Sequence, residues 1–255
     1  MVSRLTHSDL QSPVSAEEVA ATRRPTLDAS MLPARVHLDP EVFAYEMEAW
    51  WKREWLVVGH EEDVPEPGNY IRRTVLAENI IVVRGNDEVI RAFYNVCRHR
   101  GATIIQDDAG RAGGFACPYH AWTYSLEGAL RKPHQTDRLR DFDCADYGLN
   151  SIALATMAGF ILVNLDPAPA PFADYAGQLP ELLERFSLPE MRRVKRTVYD
   201  VRANWKVIVE NALECYHCPG IHTLLTKLTP PGMGGVVATT WDWSLTWMEL
   251  GEGYE

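Results

Sequence analysis

Residues 97–120 read CRHRGATIIQDDAGRAGGFACPYH, and this stretch decides how the surrounding chain folds. It holds two cysteine–histidine pairs, Cys97 with His99 and Cys117 with His120, 17 residues apart. Two thiolates and two imidazoles form a metal-ligand set, and a tetrahedral zinc site is one reading of it. The single residue inside the first pair fits a zinc knuckle poorly. It suits two loops at the tips of neighbouring hairpins, where a pair of sulfurs and a pair of nitrogens hold different atoms. Zinc and plain core packing of the four residues stay open at this point. Gly101, Gly113 and Gly114 allow tight turns or close backbone approach. Pro118 stiffens the second loop, and Tyr119 and Trp122 either shield a bound group from water or simply pack.

Working outward, the flanks read as short strands. LVVGH, NYIRRTVL, NIIVVR, VIRAFYNV, GFACPYHAW and GFILVNL are apolar or alternating runs between Trp55 and Asp166. Turn residues separate them, including Pro67-Gly68, Gly113-Gly114 and Glu127-Gly128. The pattern predicts a small antiparallel β domain over 55–166, preceded by an arm and helix over 1–54. Ser15 and Glu18 have capping-box spacing, and Asp39-Pro40 starts a helix with Phe43, Met47, Trp50 and Trp51 on one face. The Pro/Ala-rich DPAPAPFAD marks a boundary near 167. From 167 to 255 the pattern predicts a helix (173–187), a strand (RRVKRTVYDVRANW), a helix (KVIVENALECYHC) and a last strand (VVATTWDWSLTWMEL). The fold class is therefore α+β.

The second chemically dense stretch is ECYHCPGIH, residues 214–222. Glu214 and His217 are three apart and share a helix face. His222 lies five beyond His217, about 140° off that face on an unbroken helix. Pro219-Gly220 is placed to break the helix there and swing His222 back. Two histidines and a carboxylate match the facial triad of non-haem Fe(II) oxygenases. Cys215 and Cys218 have a zinc-like C-x2-C spacing with no second half nearby, and read better as small buried residues on the packed side of the helix.

The 255-residue chain has a net charge of −10, which argues against nucleic acid and anionic membrane surfaces as partners. Five cysteines, an odd number in a chain this long, argue against a disulfide framework. The N-terminal residues have no apolar stretch of the signal-peptide kind, and no apolar run reaches membrane-spanning length. The expected location is the cytoplasm.

C-x-H…C-x2-H within a small β domain resembles a Rieske [2Fe–2S] centre, and ANWKVIVENALECYHCPGIH (203–222) resembles the matching segment of Rieske non-haem iron oxygenase α subunits. The resemblance implies an antiparallel β Rieske domain followed by a helix-grip (START-like) catalytic domain. It implies that Cys97 and Cys117 hold one iron of the cluster and His99 and His120 the other, the imidazoles raising the potential. His217 and His222 would hold a mononuclear Fe(II), and Glu214 would bridge toward the Rieske histidine of a neighbouring subunit in a homotrimer. The implied activity is that of a terminal oxygenase. Electrons from NAD(P)H, delivered by a flavin/ferredoxin-type reductase, would drive O2-dependent hydroxylation or N-demethylation of a small aromatic or quaternary ammonium substrate.

Two features depart from the family. Its third iron ligand, a downstream Asp, has no counterpart at the expected separation among Asp242, Glu249, Glu252 and Glu255, so the catalytic domain is expected to be incomplete, truncated or split. Glu214 stands where many ring-hydroxylating members have Asp, which looks more like the members acting on glycine betaine, carnitine and stachydrine. Trp241, Trp243 and Trp247 would face one side of a strand, either around a methylated ammonium or in a tryptophan-rich core. The alternatives in other classes are a pure Rieske electron carrier, or an oxygenase fragment without a competent mononuclear iron, and a zinc-binding structural module.

Overall fold

The computed structural model describes residues 10–136, 138–230, 232, 234–239, 244–251 and 253. The chain divides into two units, each taken by itself: residues 47–195, and a second unit formed by residues up to 46 together with those from 196 on. The described residues of the first unit form ten strands: β1 (Leu56–His60), β2 (Asn69–Val75), β3 (Glu78–Arg84), β4 (Ile90–Tyr94), β5 (Ala109–Arg111), β6 (Phe115–Ala116), β7 (Thr123–Tyr124), β8 (Leu130–Lys132), β9 (Ser151–Met157) and β10 (Phe160–Asn164). Seven make one antiparallel sheet in the order β1-β10-β9-β4-β3-β2-β5, and β6-β7-β8 make a second, smaller one.

β3 organises this unit. Ile80, Ile81, Val82 and Val83 are all 0% exposed, so the strand is covered on both faces. Successive side chains on a strand point to opposite faces. Ile81 and Val83 accordingly enter a core that contains Cys97, Phe115, Cys117, Trp122 and Tyr124. Ile80 and Val82 enter a second core with Val64, Ile71, Ile161 and Val163. β2 and β4 split the same way, with Tyr70 and Phe93 on the first side and Ile71 and Ala92 on the other. The unbroken apolar run thus reads as a strand buried on both faces, as in covered sheets.

Five of the expected strands appear as β1, β2, β3, β4 and β10. GFACPYHAW does not form one strand. Only Phe115–Ala116 pairs, residues 117–122 are a loop, and pairing resumes at Thr123. Pro118 has no N–H for a ladder, and Ala121 adopts φ +57. The expected turn at Gly128 is present with φ +88, and a Cβ there would come within 2.5 Å of the Phe93 ring. The helix expected over 173–187 is broken into Phe172–Ala176 and Leu179–Glu184, with Gly177 at φ +51 between them.

In the second unit Asp39 caps the helix Pro40–Glu46, accepting the Glu41 N–H at 2.9 Å. Met47–Trp51, which opens the first unit, is a wider π-type turn, and Phe43 and Trp50 are each about half exposed. Ser15 and Glu18 exchange the reciprocal capping bonds at 2.9 and 3.2 Å, around a set of turns and not an α-helix. The strand expected over 192–205 is absent: the segment is irregular, and Val194, Val198 and Tyr199 are largely exposed. Alternation alone does not make a strand without a second strand to pair with, and among the described residues none pairs with this segment; its Arg193 N–H goes to the Glu62 carboxylate instead.

The last expected strand is instead a hairpin of β11 (Gly234–Thr239) and β12 (Ser244–Met248), with Gly235 opposite Trp247. Trp241, Asp242 and Trp243 lie outside the described residues, so the shared tryptophan face is not described. Among the described residues no helix is long and apolar enough to cross a membrane.

Candidate metal centres

The first centre sits on the first core of the β unit. Cys97 follows β4, and its loop is closed by a bridge between Val96 and Thr103. The Cys97 N–H donates to Ala102 O at 2.8 Å, and the Gly101 N–H donates to Cys97 O at 3.0 Å. The second loop repeats this scheme. The Cys117 N–H donates to Trp122 O at 2.8 Å, and the Ala121 N–H to Cys117 O at 2.9 Å. In each loop the fourth residue after the cysteine is left-handed, Gly101 at φ +73 and Ala121 at φ +57. Glycine takes that conformation freely; alanine takes it at a cost of about 1 kcal/mol.

The loops bring the four expected residues together. Cys97 and Cys117 are 2% and 3% exposed, whereas His99 and His120 are exposed on the outside. The two imidazole centroids are 4.8 Å apart. Burial pushes the Cys117 thiol up, with the Cys97 sulfur adding to the effect, against the N–H groups of Tyr119 and His120 that point at it. Burial, then His120 and Arg100, hold His99 below the usual imidazole value. Trp122 is buried and stacks on His99 at 4.7 Å and 12°, whereas Tyr119 stays exposed and leans on His120 at 3.8 Å.

A sulfur pair inside and a nitrogen pair outside suit a two-iron group that takes two ligands at each iron. A single-ion site would need one point of convergence. Among the described residues no three His, Cys, Asp or Glu side chains converge on such a point.

Two further residues shape this centre and escaped the sequence reading. Asn95 is 0% exposed and fully bonded. Its amide donates to Asn79 Oδ1 and Ile105 O, both at 2.7 Å, and its oxygen accepts the N–H groups of Ile104 (3.1 Å) and Ile105 (2.9 Å). Tyr124, also 0% exposed, places its hydroxyl beside Cys97 Sγ. The signal for both was a polar atom inside an apolar run next to a ligand loop.

The second centre lies at the end of the helix Trp205–Leu213, in the second unit. Asn204 caps its start, accepting the Lys206 N–H at 3.1 Å. Lys206 Nζ is buried against both oxygens of Glu46 at 2.7 and 2.8 Å, and Trp205 Nε1 donates to the same carboxylate at 2.9 Å. His37 Nε2 meets Glu210 at 3.2 Å, so this helix is tied along its length.

The helix stops five residues earlier than expected. Glu214 is already extended (φ −125, ψ 156), and Pro219-Gly220 lies inside a separate short helix, Cys218–Ile221, where Pro219 occupies the first turn. Glu214 and His217 still meet, across a turn, at 2.6 Å. That contact with His217 holds the Glu214 carboxyl below its ordinary value. His217 and His222 have ring centroids 5.1 Å apart, so the two imidazoles do converge. The Asn211 amide lies 3.3 and 3.4 Å from the His217 ring nitrogens. These side chains line a cavity of about 590 Å³ together with Leu225, Thr246, Trp247 and Met248.

Cys215 and Cys218 are joined as a disulfide, although the cysteine count argues against a disulfide framework, and Cys215 lies beyond the end of the helix and not on its packed side. The turn after Leu213 brings their Cα atoms to 5.0 Å, within disulfide reach. Of the downstream acids, Glu249 is described and exposed, and Asp242, Glu252 and Glu255 lie outside the described residues.

Comparison with known proteins agrees with this geometry. Residues 54–143 match the Rieske [2Fe-2S] domain, and residues 188–248 match the ring hydroxylating alpha subunit (catalytic domain). The carnitine monooxygenase oxygenase subunit of Acinetobacter pittii is 37% identical over 195 residues, covering 74% of this chain and 52% of the relative. The glycine betaine monooxygenase oxygenase subunit of Chromohalobacter salexigens is 37% identical over 220 residues, covering 86% and 49%. The crystal structure of the quaternary ammonium Rieske monooxygenase CntA with an inhibitor superposes with a TM-score of 0.81 at 33% identity, over 88% of this chain and 63% of that one. The chain spans about half the length of the curated relatives it matches. The two domains bring two cofactors, a [2Fe–2S] cluster and a mononuclear iron. With both domains on one polypeptide, this chain belongs to the Rieske non-haem iron oxygenase α subunits.

Proposed function

We propose that this chain works as the terminal oxygenase component of a Rieske system that oxidises a small quaternary ammonium compound. The observation that carries the reading is the paired loop: two buried sulfurs inside, two adjacent exposed imidazoles outside. On this reading Cys97 and Cys117 hold one iron and His99 and His120 the other, within a Rieske portion over 55–166. His217 and His222 hold the mononuclear iron in the portion from 167 on. When bound, the cluster supplies single electrons and the mononuclear iron supplies O2 activation.

The chain's own groups do the rest. Glu214 accepts a hydrogen bond from His217 and fixes that ring; its second oxygen accepts the Tyr216 N–H and keeps a lone pair to bridge to the Rieske histidine of a neighbouring copy in a homotrimer. Exposure of His99 and His120 supports transfer across such a boundary. The reductase is a separate NAD(P)H-dependent flavin/ferredoxin-type protein, and the setting is the cytoplasm. Carnitine and glycine betaine, the substrates named for the relatives, define the substrate class.

Metal and sulfide analysis of anaerobically purified protein tests this reading, with an EPR spectrum after reduction. The expected ratio is about three irons to two sulfides, one cluster plus one single iron. Cys117→Ser should remove the sulfide and two irons, and His217→Ala should remove one iron. Stoichiometric zinc in a colourless protein would refute the proposal. One observation favours a second reading, in which the chain carries electrons but lacks a competent mononuclear iron: only two imidazoles converge at the second centre among the described residues. That reading expects two irons to two sulfides.

A further inference from the structure

The cavity beside His217 and His222 has an uneven chemistry. Its described walls include one formal anion, Glu214, and no Lys or Arg. Its far wall is the hairpin, where Trp247 on β12 stands opposite Gly235 on β11. A Cβ at 235 would lie 3.3 Å from the Trp247 indole nitrogen and 3.8 Å from Cε2. The indole therefore lies against Gly235, close enough that a Cβ there would press on its nitrogen. It is 41% exposed, a large aromatic surface left uncovered in the wall of a cavity.

We propose that Trp247, seated on Gly235, is the residue by which this cavity selects a methylated ammonium head over an uncharged group of the same shape. The inference rests on the proposed substrate class and adds the element that reads it. An indole is the most favourable aromatic partner for a cation, and it attracts charge without needing a hydrogen-bond donor, which a quaternary ammonium lacks. Glu214 adds attraction of the same sign. No Lys or Arg among the described lining residues faces a substrate carboxylate, and the hairpin wall itself offers the indole, so recognition at this wall is of the head.

The test compares glycine betaine with 3,3-dimethylbutanoate, which has the same methyl groups and carboxylate with carbon in place of nitrogen. Calorimetric binding to the iron-loaded chain gives an affinity ratio for each variant. The expected ratio in the unsubstituted protein is about tenfold or more in favour of the betaine. Trp247→Phe should keep most of it, and Trp247→Leu should bring it close to one while leaving the affinity for 3,3-dimethylbutanoate, whose head is uncharged, nearly unchanged. Gly235→Val, which displaces the indole without removing it, should behave like Trp247→Leu. An unchanged ratio in Trp247→Leu overturns this inference and leaves the proposed function standing. Equal binding of both ligands by the unsubstituted protein overturns it as well. Binding of neither ligand overturns the inference and the proposed substrate class together.

Discussion

The Tyr124 hydroxyl lies 3.3 Å from Cys97 Sγ and accepts the Arg98 N–H at 3.0 Å. A cysteine that ligates iron is a thiolate without a proton, so in the loaded centre the hydroxyl would donate to the sulfur. Burial and the adjacent Cys97 push the phenol well up, so it stays protonated. A hydrogen bond to a ligand sulfur favours the more negative, reduced state of the bound group. Tyr124→Phe should lower the midpoint potential by roughly 60 mV, one hydrogen bond of about 1.4 kcal/mol for a one-electron couple. Voltammetry of the two proteins decides it, and equal potentials would show that the bond does not reach the sulfur.

Asn95, just past β4 and with no exposure to water, makes four hydrogen bonds, one to Asn79 on β3 and three to Ile104 and Ile105 at the end of the first loop. Asn95→Ala leaves the N–H groups of Ile104 and Ile105 without their acceptor. Orphaned buried groups cost about 1–3 kcal/mol each, so a total loss of about 2–6 kcal/mol is expected. Urea unfolding measures the loss, and faster bleaching of the visible absorbance should accompany it. Unchanged stability would mean that water replaces the side chain.

Glu46 and Lys206 form a buried ion pair that also receives Trp205 Nε1. Breaking such a pair from one side leaves a bare charge and costs about 3–5 kcal/mol. Lys206→Met alone should be strongly destabilising, and Glu46→Met with Lys206→Met should recover most of the loss. A double variant as unstable as the single one would contradict this.

Acid should weaken the β unit partly through Asp63, whose side chain is 7% exposed. Burial raises its carboxyl, but Arg193 at 2.6 Å, the His60 N–H and Arg73 outweigh burial and leave it lowered. A carboxyl lowered in the folded state stabilises above its unfolded value and loses that contribution as pH falls toward its folded one. Denaturant stability followed from pH 7 downward should therefore drop below about pH 4, near the ordinary carboxylate range. The drop should be smaller in Asp63→Asn. An equal drop in both proteins would place the acid sensitivity elsewhere.

The β unit was largely legible because its signals are local. Apolar runs broken by turn residues located five strands, and the ligand spacing alone brought Cys97, His99, Cys117 and His120 to one place. β5 and β8 were not legible, since three-residue strands carry no period to read. The segment 192–205 failed for a different reason: alternation states what a strand would bury, not whether a partner exists. At the second centre Glu214, His217 and His222 come together as expected, but on a different backbone. Proline and glycine drew attention to residues 219 and 220, yet the helix ends at Glu214, whose carboxylate bonds the Tyr216 N–H and the His217 ring outside the helix. Competition of a side chain with the helical ladder is weakly encoded by residue type.

The matched bonding of the two cysteine loops carries a consequence for what the motif can tolerate. Each loop spans a fixed count from the cysteine N–H to the carbonyl that closes it, with a left-handed residue one place before closure. The histidine occupies the second position after the cysteine in one loop and the third in the other, and the frame is the same. Moving an imidazole along a loop therefore re-aims a side chain without rebuilding the backbone. Inserting one residue would break the closure itself. Loop length is the guarded quantity here, and the histidine's place within it is an adjustable setting.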